Sequence, residues 1–254
     1  MIEMTLELAE ICGIHAGDGY MRIRGNKGEV DISGHLEEKD YYDNCVVPLF
    51  KKAFGLDLRP KSFPRGSYGI VIYNKKIAES LNNLGFPSVE KSLTVKVLDI
   101  TLKSKDKFLY ASFLRGLFDT DGNLYFMNRK TERHYKDDKK KHNYYPLIRL
   151  RTSSKTLCEQ MSLMIDELNI KYFVSSYKPK KLNENEMFTI TVSGSERLNK
   201  WMELIGMKNS VKLTRYLIWK KFGFCPPNTN LQQREDILNG KLDIYNMKGS
   251  SFNG

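Results

Sequence analysis

The chain repeats itself. Two short apolar segments, Leu8 to Gly19 and Phe113 to Gly122, end in Asp-Gly, and in each a glycine stands five residues ahead of the aspartate: Gly13 before Asp18, Gly116 before Asp121. The segments beyond each Asp-Gly correspond as well. Tyr20 to Arg24 and Asn123 to Met127 alternate as strands. The first turns at Gly25-Asn26-Lys27-Gly28, a hairpin signal, into a second strand from Glu29 to Ser33, whose counterpart is Leu147 to Thr152. Helices are expected over Leu36 to Phe54 and Ser154 to Leu168, then strands over Tyr68 to Tyr73 and Phe188 to Ser193. Each copy closes with a helix ending at Leu84-Gly85-Phe86 or Ile205-Gly206-Met207, and six residues past that glycine comes a lysine, Lys91 or Lys212. A repeat this long predicts two copies of one unit, each α-β-β-α-β-β-α.

The halves are expected at 1–98 and 108–225, with a linker at 99–107 and a tail at 226–254 that holds a helix near Gln232 to Leu238 and receives no role. Most of the extra length of the second copy falls in a basic run from Arg129 to His142, read as an enlarged hairpin loop. A hydrophobic fraction of 41% excludes wholesale disorder. No run of 18 apolar residues exists, and no basic region precedes an apolar stretch at the start, which predicts a soluble protein without membrane span or export signal. Cys12, Cys45, Cys158 and Cys225 lie far apart, which disfavours a zinc site and a disulfide framework and fits a reducing intracellular compartment. The net charge of +11 directs attention to a polyanionic partner.

At its two Asp-Gly helices the chain resembles the LAGLIDADG homing endonucleases in their single-chain, two-motif form. Leu114-Arg115-Gly116-Leu117-Phe118-Asp119-Thr120-Asp121-Gly122 keeps most of the family signature; in Ile11-Cys12-Gly13-Ile14-His15-Ala16-Gly17-Asp18-Gly19, Ala16 replaces the first aspartate and His15 an apolar residue. The resemblance implies an α/β (α+β) fold of two pseudo-symmetric αββαββα halves, each with a saddle-shaped antiparallel sheet, joined at the motif helices. Gly13, Ala16 and Gly116 suit that join, because they remove bulk between two backbones. It further implies a monomeric, site-specific DNA endonuclease that makes a staggered double-strand break with 3′ overhangs by metal-dependent hydrolysis. Such an enzyme is intron-encoded or otherwise mobile, in a prokaryotic cytoplasm or an organelle. Two alternatives share the fold: an intron maturase whose partner is intron RNA, and a regulator that binds DNA without cutting it. Retention of both Asp18 and Asp121 favours cleavage.

The resemblance also assigns residues. Asp18 and Asp121 meet at the base of the saddle, where two close carboxylates repel unless a cation lies between them. Hard oxygen donors suit Mg²⁺, with Mn²⁺ substituting and Ca²⁺ supporting binding without cleavage, and the Gly17 and Thr120 carbonyls assist. Lys91 and Lys212 are expected beside the scissile phosphate. His35 and Ser153 occupy the position of a family residue that is often Gln. The sheets would read double-stranded DNA in the major groove. Period-two counting gives Tyr20, Arg22, Arg24, Glu29, Asp31 and Ser33 in the first half, and Asn123, Tyr125, Arg149 and Arg151 in the second. Later strands add Arg59, Lys61 and Arg65, then Lys178, Lys180, Thr189, Thr191 and Ser193. The halves differ at nearly all of these positions, so an asymmetric target is expected.

Overall fold

Thr5 opens the first helix by accepting a hydrogen bond from the Leu8 amide at 3.2 Å, and α1 (Leu6–Asp18) runs from there to the first Asp-Gly. The structure is a computed structural model that describes residues 4–87, 91–128, 144–179 and 184–246. The strands β1 (Gly19–Arg24) and β2 (Lys27–His35) pair around the turn at Gly25. Residues 36–54 are helical throughout but not uniform. A 3₁₀ turn (Leu36–Glu38) leads into α2 (Lys39–Tyr41), a π turn (Tyr42–Val46) and α3 (Val47–Phe54). Pro48 explains the π turn. It has no amide to donate and its ring crowds the carbonyl four residues back, so the helix widens just before it, with the Val47 amide bonding the Tyr42 carbonyl.

Two more strands, β3 (Lys61–Phe63) and β4 (Ser67–Ile72), complete an antiparallel sheet in the order β1-β2-β4-β3, and α4 (Lys75–Asn83) covers it. The first half ends in α5 (Lys91–Thr94) and a segment that buries Val95, Val97 and Leu98 and bonds the Val97 amide to Gln160 Oε1 at 2.7 Å. The expected linker just after it is itself structured, containing α6 (Asp99–Ser104). The second half then repeats the plan with α7 (Lys107–Asp121), β5 (Asn123–Asn128), β6 (Tyr144–Thr152), α8 (Lys155–Glu167), β7 (Phe173–Tyr177), β8 (Met187–Ser193) and α9 (Ser195–Leu204). Its strand order, β5-β6-β8-β7, is that of the first half. Gly85 and Gly206, at φ 103° and 79°, close the equivalent helices α4 and α9 in a left-handed conformation that suits glycine.

The halves join where α1 crosses α7. A Cβ on Gly13 would lie 2.8 Å from the Leu117 amide and overlap the Phe113 carbonyl; one on Gly116 would lie 2.9 Å from the Ile14 amide and overlap the Glu10 carbonyl. Backbone therefore packs on backbone. Ile11, Ile14, Phe113, Leu114 and Phe118 seal this crossing within one core shared by both halves. Buried Glu10 of α1 pairs across it with Arg115 at 2.6 Å and with Lys208 at 2.8 Å.

Beyond α10 (Ser210–Phe222), the tail forms α11 (Leu231–Leu238) and is part of the body. Ile218, Phe224, Cys225, Ile237 and Ile244 make a small second core there. Fully buried Arg234 donates to Thr214 Oγ1 at 3.0 Å and to the Thr229 carbonyl, and pairs with Glu37 of the first half at 3.4 Å. Among the described residues no helix is long and apolar enough to cross a membrane.

Candidate active site and nucleic-acid interface

Both aspartates end their helices, and the glycine after each has a steric cause. The chain leaves the helix by folding over its own last turn, so a Cβ on Gly19 would lie 2.6 Å from His15 Cα and one on Gly122 would lie 2.7 Å from Phe118 Cα. At the same end of the crossing, Gly17 sits against the other helix, where a Cβ would meet Thr120 Cβ at 2.8 Å and the Asp121 amide at 3.4 Å. The seam between the halves thus carries one aspartate from each, Asp18 half-buried and Asp121 exposed.

Asp18 has neighbours that sequence reasoning missed. Its Oδ2 accepts from the Tyr42 hydroxyl at 3.3 Å. A Cβ on Gly34 of β2 would lie 3.1 Å from that oxygen and 2.9 Å from the Tyr42 hydroxyl, and closer still to Glu38 Oε2. Glycine at 34 leaves the space in which these three groups converge. Burial, reinforced by Asp18 and Glu38, pushes the Tyr42 hydroxyl far above its ordinary range, so it stays a donor. Glu38 also accepts from the His35 amide at 3.1 Å and from Asn209 Nδ2 at 2.6 Å, and Asn209 donates in turn to the Asp119 carbonyl at 2.7 Å. The His-x-x-Glu spacing is a capping-box signal that identifies Glu38 as a helix-opening residue; its bond to the other half has no local signal.

Lys212 is buried beneath the end of α7, where its ammonium donates to the carbonyls of Phe118, Asp119 and Thr120, each at 2.7 Å. It was expected to reach the scissile phosphate. Its three protons are instead directed at carbonyls of the helix C-terminus, of which Phe118 also accepts from the Gly122 amide and Asp119 from Asn209, and the third is the Thr120 carbonyl expected to assist a metal. Burial pushes the lysine's pKa down, against the attraction of Asp119, Glu38, Asp18 and Asp121. Lys91 opens α5, and its side chain lies outside the described residues. Asp119, wholly buried, accepts from the Lys208 amide at 2.8 Å, and burial pushes its carboxyl up to about 6. His35 Nδ1 accepts from the Glu37 amide at 3.2 Å, while Ser153 donates to the Ser92 carbonyl, 61 residues away, at 2.8 Å.

The sheet registers keep the expected faces together. Tyr20 pairs with Asp31, Arg22 with Glu29, Asn123 with Arg149 and Arg151 with Thr189. The Arg149 guanidinium lies 4.6 Å over the Tyr125 ring. Ser33 and Ser193 are partly exposed on these faces. Lys61 opens β3, with its ammonium 5.3 Å from the Phe63 ring centre. Four expectations change. Thr191 is buried, flanked in register by the larger Arg149 and Phe173, and cannot touch a base. Arg65 sits at φ 66° in the turn between β3 and β4, and Arg59 precedes β3, so both lie off the strands. Lys178 comes just after β7; Lys180 and the basic run from Arg129 to His142 lie outside the described residues.

Residues 108–206, most of the second half, match the family model described as the LAGLIDADG-like domain. The chain has the LAGLIDADG fold. I-SmaMI bound to uncleaveable DNA is 15% identical over 96% of this chain and 98% of its own, with a TM-score of 0.55. A point mutant of I-SmaMI is 13% identical over 99% and 100%, with a TM-score of 0.53. A variant of the homing endonuclease I-DmoI, in complex with its nicked target DNA in the presence of manganese, is 14% identical over 79% and 94%, with a TM-score of 0.51. At such identities the likeness establishes the two-half LAGLIDADG fold. No curated protein matches the chain.

Proposed function

We propose that this protein is a site-specific DNA endonuclease that cuts both strands of a long asymmetric site by metal-dependent hydrolysis, leaving 3′ overhangs. One observation supports this reading above the rest. The backbone-to-backbone crossing of α1 and α7 brings an aspartate from each half to one seam, and each aspartate leads directly into a sheet whose face carries arginines. One carboxylate per half suits one cut per strand. The two faces differ, which suits an asymmetric duplex, and both carboxylates come from one chain, which suits a monomer.

Among the described residues no group of three or more His, Cys, Asp and Glu side chains could hold a metal, so the donor set at the seam is sparse. That fits Mg²⁺, which binds through one or two carboxylates, keeps several waters and takes ligands from phosphate; Mn²⁺ takes the same donors. Asp18 and Asp121 would hold it, with the Gly17 carbonyl, and the ion would supply an acidified water and neutralise charge on the leaving oxygen. The protein's own groups orient this centre. The Tyr42 hydroxyl fixes the Asp18 carboxylate, and Lys212 pins the end of α7 from which Asp121 projects.

The test is a selection for cut sites, with purified protein, Mg²⁺ and a random duplex library, sequencing the ends produced. One long asymmetric site with staggered ends is expected. No cutting in Mg²⁺ or Mn²⁺, together with tight binding of intron RNA, would overturn the endonuclease in favour of a maturase.

A further inference from the structure

The edge strand of the second sheet sets two exposed aromatic rings beside arginines. Every residue of β7 is exposed, and Phe173, Ser175 and Tyr177 register with Thr191, Thr189 and Met187. They therefore stand on the same face as Arg149 and Arg151, the partners of Thr191 and Thr189 across β8. Phe173 is 50% exposed and Tyr177 65%, and β7 contains no charged residue. The corresponding edge of the first half, β3, is different: Lys61 and Phe63 stack ammonium on ring there. Two large rings left in water on the basic face of a protein of charge +11 need a partner that is polyanionic and yet offers apolar surface. In the major groove the thymine C5-methyl is that surface, the one apolar group among the base edges.

We propose that Phe173 and Tyr177 determine specificity by packing on thymine methyl groups, an inference that rests on the endonuclease reading and names part of its substrate. Residues four apart on a strand are separated by about 13 Å, close to four base-pair steps of about 3.4 Å. The half-site under the second half therefore carries thymine at two positions about four base pairs apart, with Ser175 between them able to bond either strand's edge. Arg149 and Arg151 supply the phosphate or guanine contacts of the same half.

The test uses two random duplex libraries, one containing thymine and the other uracil, bound to the wild-type protein and to a Phe173→Ser/Tyr177→Ser variant. Wild type is expected to enrich two thymines in one half-site and to show no matching enrichment of uracil. On a fixed selected duplex, each thymine-to-uracil change at those positions should weaken binding about fourfold, the value of burying one methyl-sized group. The variant should lose the thymine preference while still selecting the other half-site; its exposed positions make misfolding an easily checked alternative by circular dichroism, and the uracil arm needs no variant. An equal preference for uracil, or an unchanged thymine preference in the variant, overturns the proposal. So does an equal loss of affinity for both duplexes, which would mean packing without base discrimination. Enrichment of the other half-site and cutting of the selected duplex report on the endonuclease reading separately; if neither occurs, that reading falls, and this inference with it.

Discussion

Replacing Lys212 by Met keeps the length and apolar stem of the side chain and removes only the ammonium. Three carbonyls at the end of α7 then lose a donor held at 2.7 Å, and buried Asp119 loses the attraction of the Lys212 charge. A hydrogen bond to a charged group contributes about 1.5–3 kcal/mol, which summed over three would overstate the effect, because the ammonium's own desolvation is recovered on its removal. The better comparison is a buried acceptor left unsatisfied, about 1–3 kcal/mol, because the Phe118 carbonyl keeps the Gly122 amide and the Asp119 carbonyl keeps Asn209. For a chain of this size that lowers Tm by on the order of 5 °C. Thermal denaturation by circular dichroism, run beside cleavage of a selected duplex, measures both consequences. A Lys212→Met protein with unchanged Tm and abolished cleavage would refute the argument, since it would mean that the ammonium serves the reacting phosphate and not the helix end.

Asp18→Asn and Asp121→Asn should each retain DNA affinity within about threefold, a free-energy change below about 1 kcal/mol, in a Ca²⁺ gel shift while abolishing cleavage or confining it to one strand in Mg²⁺; equal loss of binding in both would count against their role. Gly116→Val should cost more than about 3 kcal/mol in chemical denaturation, because the added carbons meet the Glu10 carbonyl and the Ile14 amide and neither can rotate away. Asp119 gives a pH signature. Its folded value is raised to about 6, so the stability it contributes as a neutral acid is fully present below the unfolded value near 4 and is lost as pH rises through 6. Asp119→Asn, which keeps an acceptor for the Lys208 amide, should therefore gain on wild type by up to on the order of 3 kcal/mol between pH 4 and pH 7, read from denaturation midpoints across that range. A flat difference would remove the buried-acid explanation.

Backbone sterics made part of this molecule legible in its sequence. Gly13 and Gly116 forecast the helix crossing, and Asp-Gly forecast two equivalent turns, since only glycine fits where the chain folds back over His15 or Phe118. Strand alternation forecasts the faces, but it counts direction and not cover, so it puts Thr191 on the outer face although that residue is buried between Arg149 and Phe173 in register. The tail's place in the body has no local signal, because its anchoring is carried by Arg234, whose partners Glu37 and Thr214 come from distant parts of the chain.

Lys212 shows where position and function part company. Its place in the repeat matched that of Lys91, and that correspondence invited a shared chemical role. Yet a lysine at this place must first satisfy the helix end it lies against. In the second half that end is buried at Asp119, and the ammonium lies on the carbonyls of Phe118, Asp119 and Thr120. At the first aspartate the seam is built otherwise, with the Tyr42 hydroxyl on Asp18 and Glu38 beside it. One carboxylate is held by a neutral donor on its own oxygen, the other by a cation acting on the backbone behind it. On the proposed endonuclease reading, two centres so differently supported would turn over at different rates, and one strand would be the first to break.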